Sequence, residues 1–148
     1  MAASGLPANC LQLEISETLA MRDFDFTLRT LSSLHALGTR IAIDDYGIGY
    51  LNFTQLTQLS LDFVKLDRSL VRDALASDNN RTVTTALMQS AAMLGMQVIA
   101  EGVESSAQAE LLKANACRYA QGYLYCRPGD ANTISDYLEG DARSLGHS

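Results

Sequence analysis

Two rhythms of apolar positions alternate along the chain. Short runs rich in β-branched and apolar residues fall at Leu11–Ile15, Arg40–Asp44, Asp62–Leu66, Gln97–Ala100 and Arg118–Gln121. Between them, apolar residues recur at helical spacing. Phe24, Leu28, Leu31 and Leu34 lie on one stripe, with Asp23 placed to cap its start. Val83, Leu87, Ala91 and Leu94 form a second stripe, and Gly95 stands where a helix commonly ends in a left-handed residue. Ser105 and Gln108 make a capping box ahead of Leu111 and Leu112. Ile134, Tyr137 and Leu138 predict a last short helix.

The pattern reads as a βα unit repeated about five times, which calls for parallel strands joined by right-handed crossovers. Such repeats build either an open doubly wound sheet or a closed barrel. No GxGxxG or GxxxxGK[ST] loop follows a strand, so the open nucleotide-binding sheets lose their best marker. Polar and charged residues instead close nearly every strand, as at the mouth of a (β/α)8 barrel. A complete barrel takes about 250 residues, and the chain has 148. The expected fold is therefore α/β: an incomplete (β/α)8 TIM-type barrel of about five βα units without the N-terminal strands. Residues 1–10 are expected to fray, 11–140 to form the partial domain and 141–148 to be a disordered tail.

Composition narrows the partners. Apolar residues make up 47% and charged residues 19%, an ordinary globular balance. The net charge of −6 leaves no polybasic surface for long nucleic acid or anionic lipid. No apolar run approaches the roughly 20 residues that span a bilayer, so no membrane contact by this segment is expected. The first residues lack the basic and apolar regions of a secretory signal. Cys10, Cys117 and Cys126 are an odd count without CxxC spacing, which predicts small buried thiols in a reducing compartment rather than disulfides or zinc. The expectation is a cytoplasmic protein, or the cytoplasmic part of a membrane-anchored parent.

The strand ends hold the candidate chemistry. They carry Glu14 and Glu17, Asp44 and Asp45, Lys65, Glu101 and Glu104, and Gln121. Strand alternation puts Gln12 and Glu14 on the face opposite Leu11, Leu13 and Ile15. Six carboxylates, one lysine and one amide would then share one mouth. Crowded carboxylates repel unless a cation neutralises them. An all-oxygen ligand set suits Mg²⁺ or Mn²⁺. Adjacent Asp44 and Asp45 could bridge two ions, and two ions about 4 Å apart can activate water and stabilise a leaving oxygen in phosphodiester cleavage. Each residue also has a plainer reading. Asp44-Asp45 could cap a turn, Glu14 could sit on a solvated edge and Glu17 could be structural. Lys65 could face solvent, or hold a phosphate or a water if it points into the mouth. Glu101 and Glu104 could serve a helix dipole, and Gln121 a turn. His35 and His147 read as surface residues, and Tyr123 and Tyr125 as packing residues. The co-occurrence at successive strand ends carries the argument.

Together these motifs resemble the EAL family of cyclic-di-GMP phosphodiesterases. The matching pieces are Glu14-Ile-Ser-Glu17, Asp44-Asp45-Tyr-Gly-Ile-Gly-Tyr, Val64-Lys65-Leu-Asp67, Ile99-Ala-Glu101-Gly-Val-Glu104 and Gln121-Gly-Tyr-Leu-Tyr-Cys-Arg-Pro128, in family order from Leu11 to about Leu138. The resemblance implies a βα barrel that hydrolyses cyclic-di-GMP to pGpG with two Mg²⁺ or Mn²⁺ ions. It implies metal contacts from Glu14, Asp44, Asp45 and Glu101, with Asp44 bridging. Lys65 would orient the attacking water and Glu101 would act as general base. Glu104 and Gln121 would support the water and metal shell, and Glu17 would brace the loop 45–52, which in this family links metal binding to dimer contacts. No substrate-binding residue is assigned.

The chain departs from the family pattern in two ways. Ile48 replaces a Thr and Leu51-Asn52 a Ser-Ser pair, which predicts a loop that is less well hydrogen-bonded and less well ordered. The Glu-Ala-Leu signature, a nearby substrate-gripping Arg and a metal-ligating strand-end Asn have no counterpart in the chain. The resemblance thus implies a phosphodiesterase parent and an isolated chain with little or no activity. The alternative is a non-catalytic module that binds cyclic-di-GMP or a protein partner. A homodimer, or an upstream sensory or diguanylate-cyclase-type domain, is the expected assembly.

Overall fold

The computed structural model describes residues 5–49 and 51–145, with side chains through residue 140. Five parallel strands form one sheet: β1 (Gln12–Ser16), β2 (Arg40–Tyr46), β3 (Phe63–Leu66), β4 (Gln97–Ala100) and β5 (Tyr119–Ala120). Their spatial order follows their order in the chain. A doubly wound sheet reverses strand order at its binding crevice. This one never reverses, which is the topology of a barrel wall. The α/β class and the partial TIM-type barrel expected from the sequence are thus what the structure has.

The helices are α1 (Glu17–Ala20), α2 (Phe24–Ala36), α3 (Phe53–Gln58), α4 (Arg68–Asp73), α5 (Asp78–Met93), α6 (Ser106–Ala114) and α7 (Ala131–Leu145), after a 3₁₀ turn at Ala8–Cys10. Asp23 caps α2 by accepting from Phe26 N–H at 3.0 Å. Gly95 follows α5 at φ +78°. The Ser105/Gln108 box starts α6 as its spacing predicts.

The core lies between the helices and one face of the sheet. Ile41, Ile43, Val64 and Leu66 are fully buried there, with Leu31, Met88, Ala91 and Leu112 from the helices against them. Each such side chain contributes about 1.5–3 kcal/mol by leaving water. Alternation sends the intervening residues to the opposite, concave face. That face carries Phe63 edge-on to Tyr119, with ring centroids 6.0 Å apart, and Lys65.

Several expectations are corrected. The buried stripe of α5 is Thr84, Met88 and Ala91 rather than one starting at Val83, which is 47% exposed. Thr84 pays no penalty for burial, because its hydroxyl donates to the Leu70 carbonyl at 3.2 Å. The last helix reaches Leu145, so the expected tail is helical from 141 to 145. Residues 146–148, His147 included, lie outside the described residues. All three cysteines are free thiols, but Cys10 is exposed and the other two only half-buried. Tyr123 and Tyr125 are exposed rather than packed. Among the described residues no helix is long and apolar enough to cross a membrane.

Candidate active site

Lys65 is the hub of the concave face. Its flanking residues Val64 and Leu66 enter the core, so strand alternation turns the lysine the other way. Its Nζ lies 2.8 Å from Glu14 Oε2, 3.0 Å from Asp44 Oδ1 and 2.7 Å from Glu101 Oε1. These carboxylates come from β1, β2 and the residue just beyond β4. Lys65 is only 6% exposed. Burial opposes its charge, but the close carboxylates of Glu101, Glu14 and Asp44 outweigh that and hold its pKa above the ordinary lysine value. Burial also pushes the Glu101 carboxyl up. Lys65 pulls it back, and the neighbouring charges of Asp44 and Asp45 add to the rise.

Adjacent strand residues normally face opposite ways, yet Asp44 and Asp45 both reach this cluster. The register with β3 shifts between Ile43 and Tyr46, and Asp45 takes the left-handed value φ 57°. That bulge turns its side chain back toward the mouth. Carboxylate oxygens of Asp44, Asp45 and Glu101 all lie within 4.8 Å of one another. Asp44 Oδ1 is buried, and although it is ion-paired with Lys65 at 3.0 Å, no donor meets it in hydrogen-bond geometry. An orphaned buried oxygen among oxygen donors fits a hard divalent cation.

Two amides orient the flanking carboxylates. Gln12 Nε2 donates to Glu14 Oε1 at 3.1 Å, and Gln121 Nε2 donates to Glu101 Oε1 at 2.6 Å. Gln121 is brought there by a close main-chain approach: Val103 N–H donates to the Gln121 carbonyl at 3.1 Å. A Cβ on the next residue, Gly122, would sit 2.1 Å from the Val103 carbonyl oxygen, so only glycine fits.

Glu17 lies outside the cluster and does something different. It is 3% exposed and accepts main-chain N–H bonds from Gly47 at 3.3 Å, Gly49 at 3.1 Å and Leu51 at 2.5 Å. A Cβ on Gly49 would lie 2.6 Å from the Glu17 carboxyl carbon, which explains the second glycine of Gly-Ile-Gly. The substitutions at 48, 51 and 52 do not cost the loop these bonds, because the bonds are made by backbone. Asn52 also caps α3 in a box with Gln55. The expected shortage of loop hydrogen bonds is corrected accordingly.

Glu104 is exposed, and its N–H is held by Gln108 Oε1 at 2.8 Å. With Arg68, Gln121, Tyr123 and Arg127 it lines a groove of about 500 Å³. Arg127 sits over the Tyr123 ring at 4.3 Å. Arg68 was not read as functional from the sequence. Its place just past the end of β3, like the other mouth residues, was the available signal. Asp67 caps α4, and His35 is a surface residue 3.6 Å from Asp62. Another cavity, of about 480 Å³, lies where β4 and β5 begin and has no carboxylate in its lining.

A sequence profile of the EAL domain matches residues 1–128. Cyclic di-GMP phosphodiesterase NbdA of Pseudomonas aeruginosa is 38% identical over 135 residues, covering 91% of this chain and 17% of that protein. A structure of the phosphodiesterase MucR of the same organism, in complex with cyclic-di-GMP, superposes with a TM-score of 0.85 at 34% identity, covering 90% of this chain and 54% of that one. Klebsiella pneumoniae BlrP1, solved with manganese and cyclic-di-GMP, gives a TM-score of 0.79 at 34% identity over 86% of this chain and 32% of that one. The chain spans about a fifth of the length of the curated relatives it matches.

Proposed function

Because the chain belongs to the EAL domain family, we propose that its carboxylate–lysine cluster is the metal-binding and water-activating part of a cyclic-di-GMP phosphodiesterase that yields pGpG. The observation that carries this reading is the convergence of Glu14, Asp44 and Glu101 on Lys65, with Asp45 turned in beside them. Glu14, Asp44, Asp45 and Glu101 would hold Mg²⁺ or Mn²⁺, two ions in an intact domain. Such ions, when bound, polarise a phosphoryl oxygen and lower the pKa of water. The relatives solved with cyclic-di-GMP and with manganese support that choice of ligand and metal.

The chain's own groups would do the rest. Lys65 is a buried cation at the centre of the mouth. It would hold the attacking water by a hydrogen bond and offset charge on the phosphate. Glu101, beside Lys65 and steadied by Gln121, would accept the water's proton. The water oxygen bonds to phosphorus, one P–O ester bond breaks, and the ring opens to the linear dinucleotide. Glu17 and Glu104 would act at one remove, through the loop and the groove wall. Arg68 and Arg127 in the groove favour an anionic ligand in a chain of net charge −6.

The five-unit chain alone is expected to show little or no turnover, since the Glu-Ala-Leu segment and the strand-end Asn would complete the ligand set. Titration of the 148-residue chain with Mn²⁺ tests the site. Asp44→Asn should weaken binding at least about tenfold while the chain stays folded in EDTA, since Lys65 keeps its contacts with Glu14 and Glu101 when the 3.0 Å ion pair to Asp44 is lost. Mn²⁺ binding indifferent to that change would refute the assignment, and steady pGpG release by the purified chain would refute the expected inactivity. A second reading is a non-catalytic module, favoured by a concave face that five strands leave open. Cyclic-di-GMP binding by the chain with no need of a divalent ion would select it. Under either reading we propose a cytoplasmic setting, with a second copy or an upstream sensory or diguanylate-cyclase-type domain as partner.

A further inference from the structure

Lys65 pairs with Glu14, Asp44 and Glu101, three of the four carboxylates that the metal reading gives to the cation. The ammonium group meets Glu14 Oε2, Asp44 Oδ1 and Glu101 Oε1 within 3.0 Å, and Asp44 and Glu101 also belong to the group of carboxylates close enough to share one cation. Among the described residues no arginine or second lysine pairs with these three carboxylates. Lys65 is nearly buried, so water screens its charge weakly. The contact with Glu14 is a charge-assisted hydrogen bond, the strong class, and those with Asp44 and Glu101 are ion pairs. Oxygens that give their lone pairs to an ammonium give less to a metal, and the two positive charges repel.

Resting on the metal reading above, we propose that Lys65 competes with the divalent cation for Glu14, Asp44 and Glu101. It ties the ends of β1, β2 and β4 to β3 when divalent ions are scarce, and it weakens their binding when they are present. The site is then tuned to respond to the concentration of free ion. This role differs from holding a water, which would change turnover and leave metal affinity alone.

The test uses the 148-residue chain and Lys65→Met, which keeps the length of the side chain and removes its charge. Mn²⁺ affinity is measured by calorimetry, and the thermal midpoint is measured in EDTA and in Mn²⁺. Lys65→Met should bind Mn²⁺ at least about tenfold more tightly, from the loss of one charge-assisted competitor. It should melt lower than wild type in EDTA and recover in Mn²⁺. Unchanged or weaker Mn²⁺ binding by the variant, or an unchanged midpoint in EDTA, overturns the competition while leaving the metal site standing. Failure of both proteins to bind Mn²⁺ overturns the metal reading itself, and the competition with it. Should the variant fail to fold, the wild-type chain decides. Saturating Mg²⁺ should shift the ¹⁵Nζ resonance of Lys65 and speed exchange of its ammonium protons with water. A resonance and exchange rate that stay fixed through a saturating titration overturn the proposal.

Discussion

Asp45 accepts backbone strain to gain chemistry. A non-glycine residue at φ 57° costs roughly 1–2 kcal/mol, somewhat less for Asp than for most residues. The return is a third carboxylate in the cluster with Asp44 and Glu101. Asp45→Gly should therefore raise the thermal midpoint by about 2–4 °C while weakening Mn²⁺ binding. A variant that loses both, or neither, would show that the strain and the ligand are unrelated. The pairing of strain with a place in the carboxylate cluster was only half legible in the sequence. Two acids after Ile41–Ile43 marked the strand end, but plain alternation sends them to opposite faces. The bulge that reunites them depends on the register with β3, which no local pattern encodes. Lys65 was legible in the same partial way. Its apolar neighbours implied that it faces away from the core, but only the fold shows three acids waiting there.

At the scale of elements, Glu17 joins two pieces of structure. It begins α1, where Ser16 caps the helix, and its carboxylate holds the turn between β2 and α3. Glu17→Gln keeps the size but offers one accepting oxygen where the carboxylate has two, and turns an N–H₂ group toward N–H donors. Leaving at least one buried donor unmet should cost about 1–3 kcal/mol. It should also raise hydrogen exchange at Gly47, Gly49 and Leu51 more than elsewhere. Ile48→Thr, which restores the family residue, should alter stability by less than about 0.5 kcal/mol, because Ile48 is exposed and the loop is held through its backbone. Exchange at Gly47, Gly49 and Leu51 unaffected by Glu17→Gln would remove the carboxylate from this role. Among the helices, those with long apolar stripes or explicit caps could be read from sequence. Short α3 and α4 could not, since one turn and a half carries too little periodicity. In α5 hydrophobicity alone favours Val83 over Thr84. Burial goes to Thr84 because Leu70 supplies an acceptor for its hydroxyl.

For the whole molecule, the decisive number is five strands in an order that never reverses. An eight-stranded barrel closes on itself and has no edges, whereas among the described residues β1 and β5 each pair on one side only. Open edges with apolar neighbours invite association. Leu11, Tyr119 and Tyr123 are all more than 40% exposed beside these edges. The sequence readings that failed, buried thiols and packed tyrosines, belong to this part of the molecule. They assumed covered surface beside β1 for Cys10 and beside β5 for Cys117, Cys126 and the tyrosines, and side-chain hydrophobicity does not report whether an edge is covered. The chain should accordingly self-associate as its concentration rises, seen as a growing sedimentation coefficient. Tyr119→Lys places a charge on the β5 edge, the usual defence against edge pairing. It should suppress that association at a cost of about 0.5–1.5 kcal/mol from the lost contact with Phe63. A wild-type chain that sediments as a monomer across the whole range would mean that the edges are inert and that five βα units suffice as a closed folding unit.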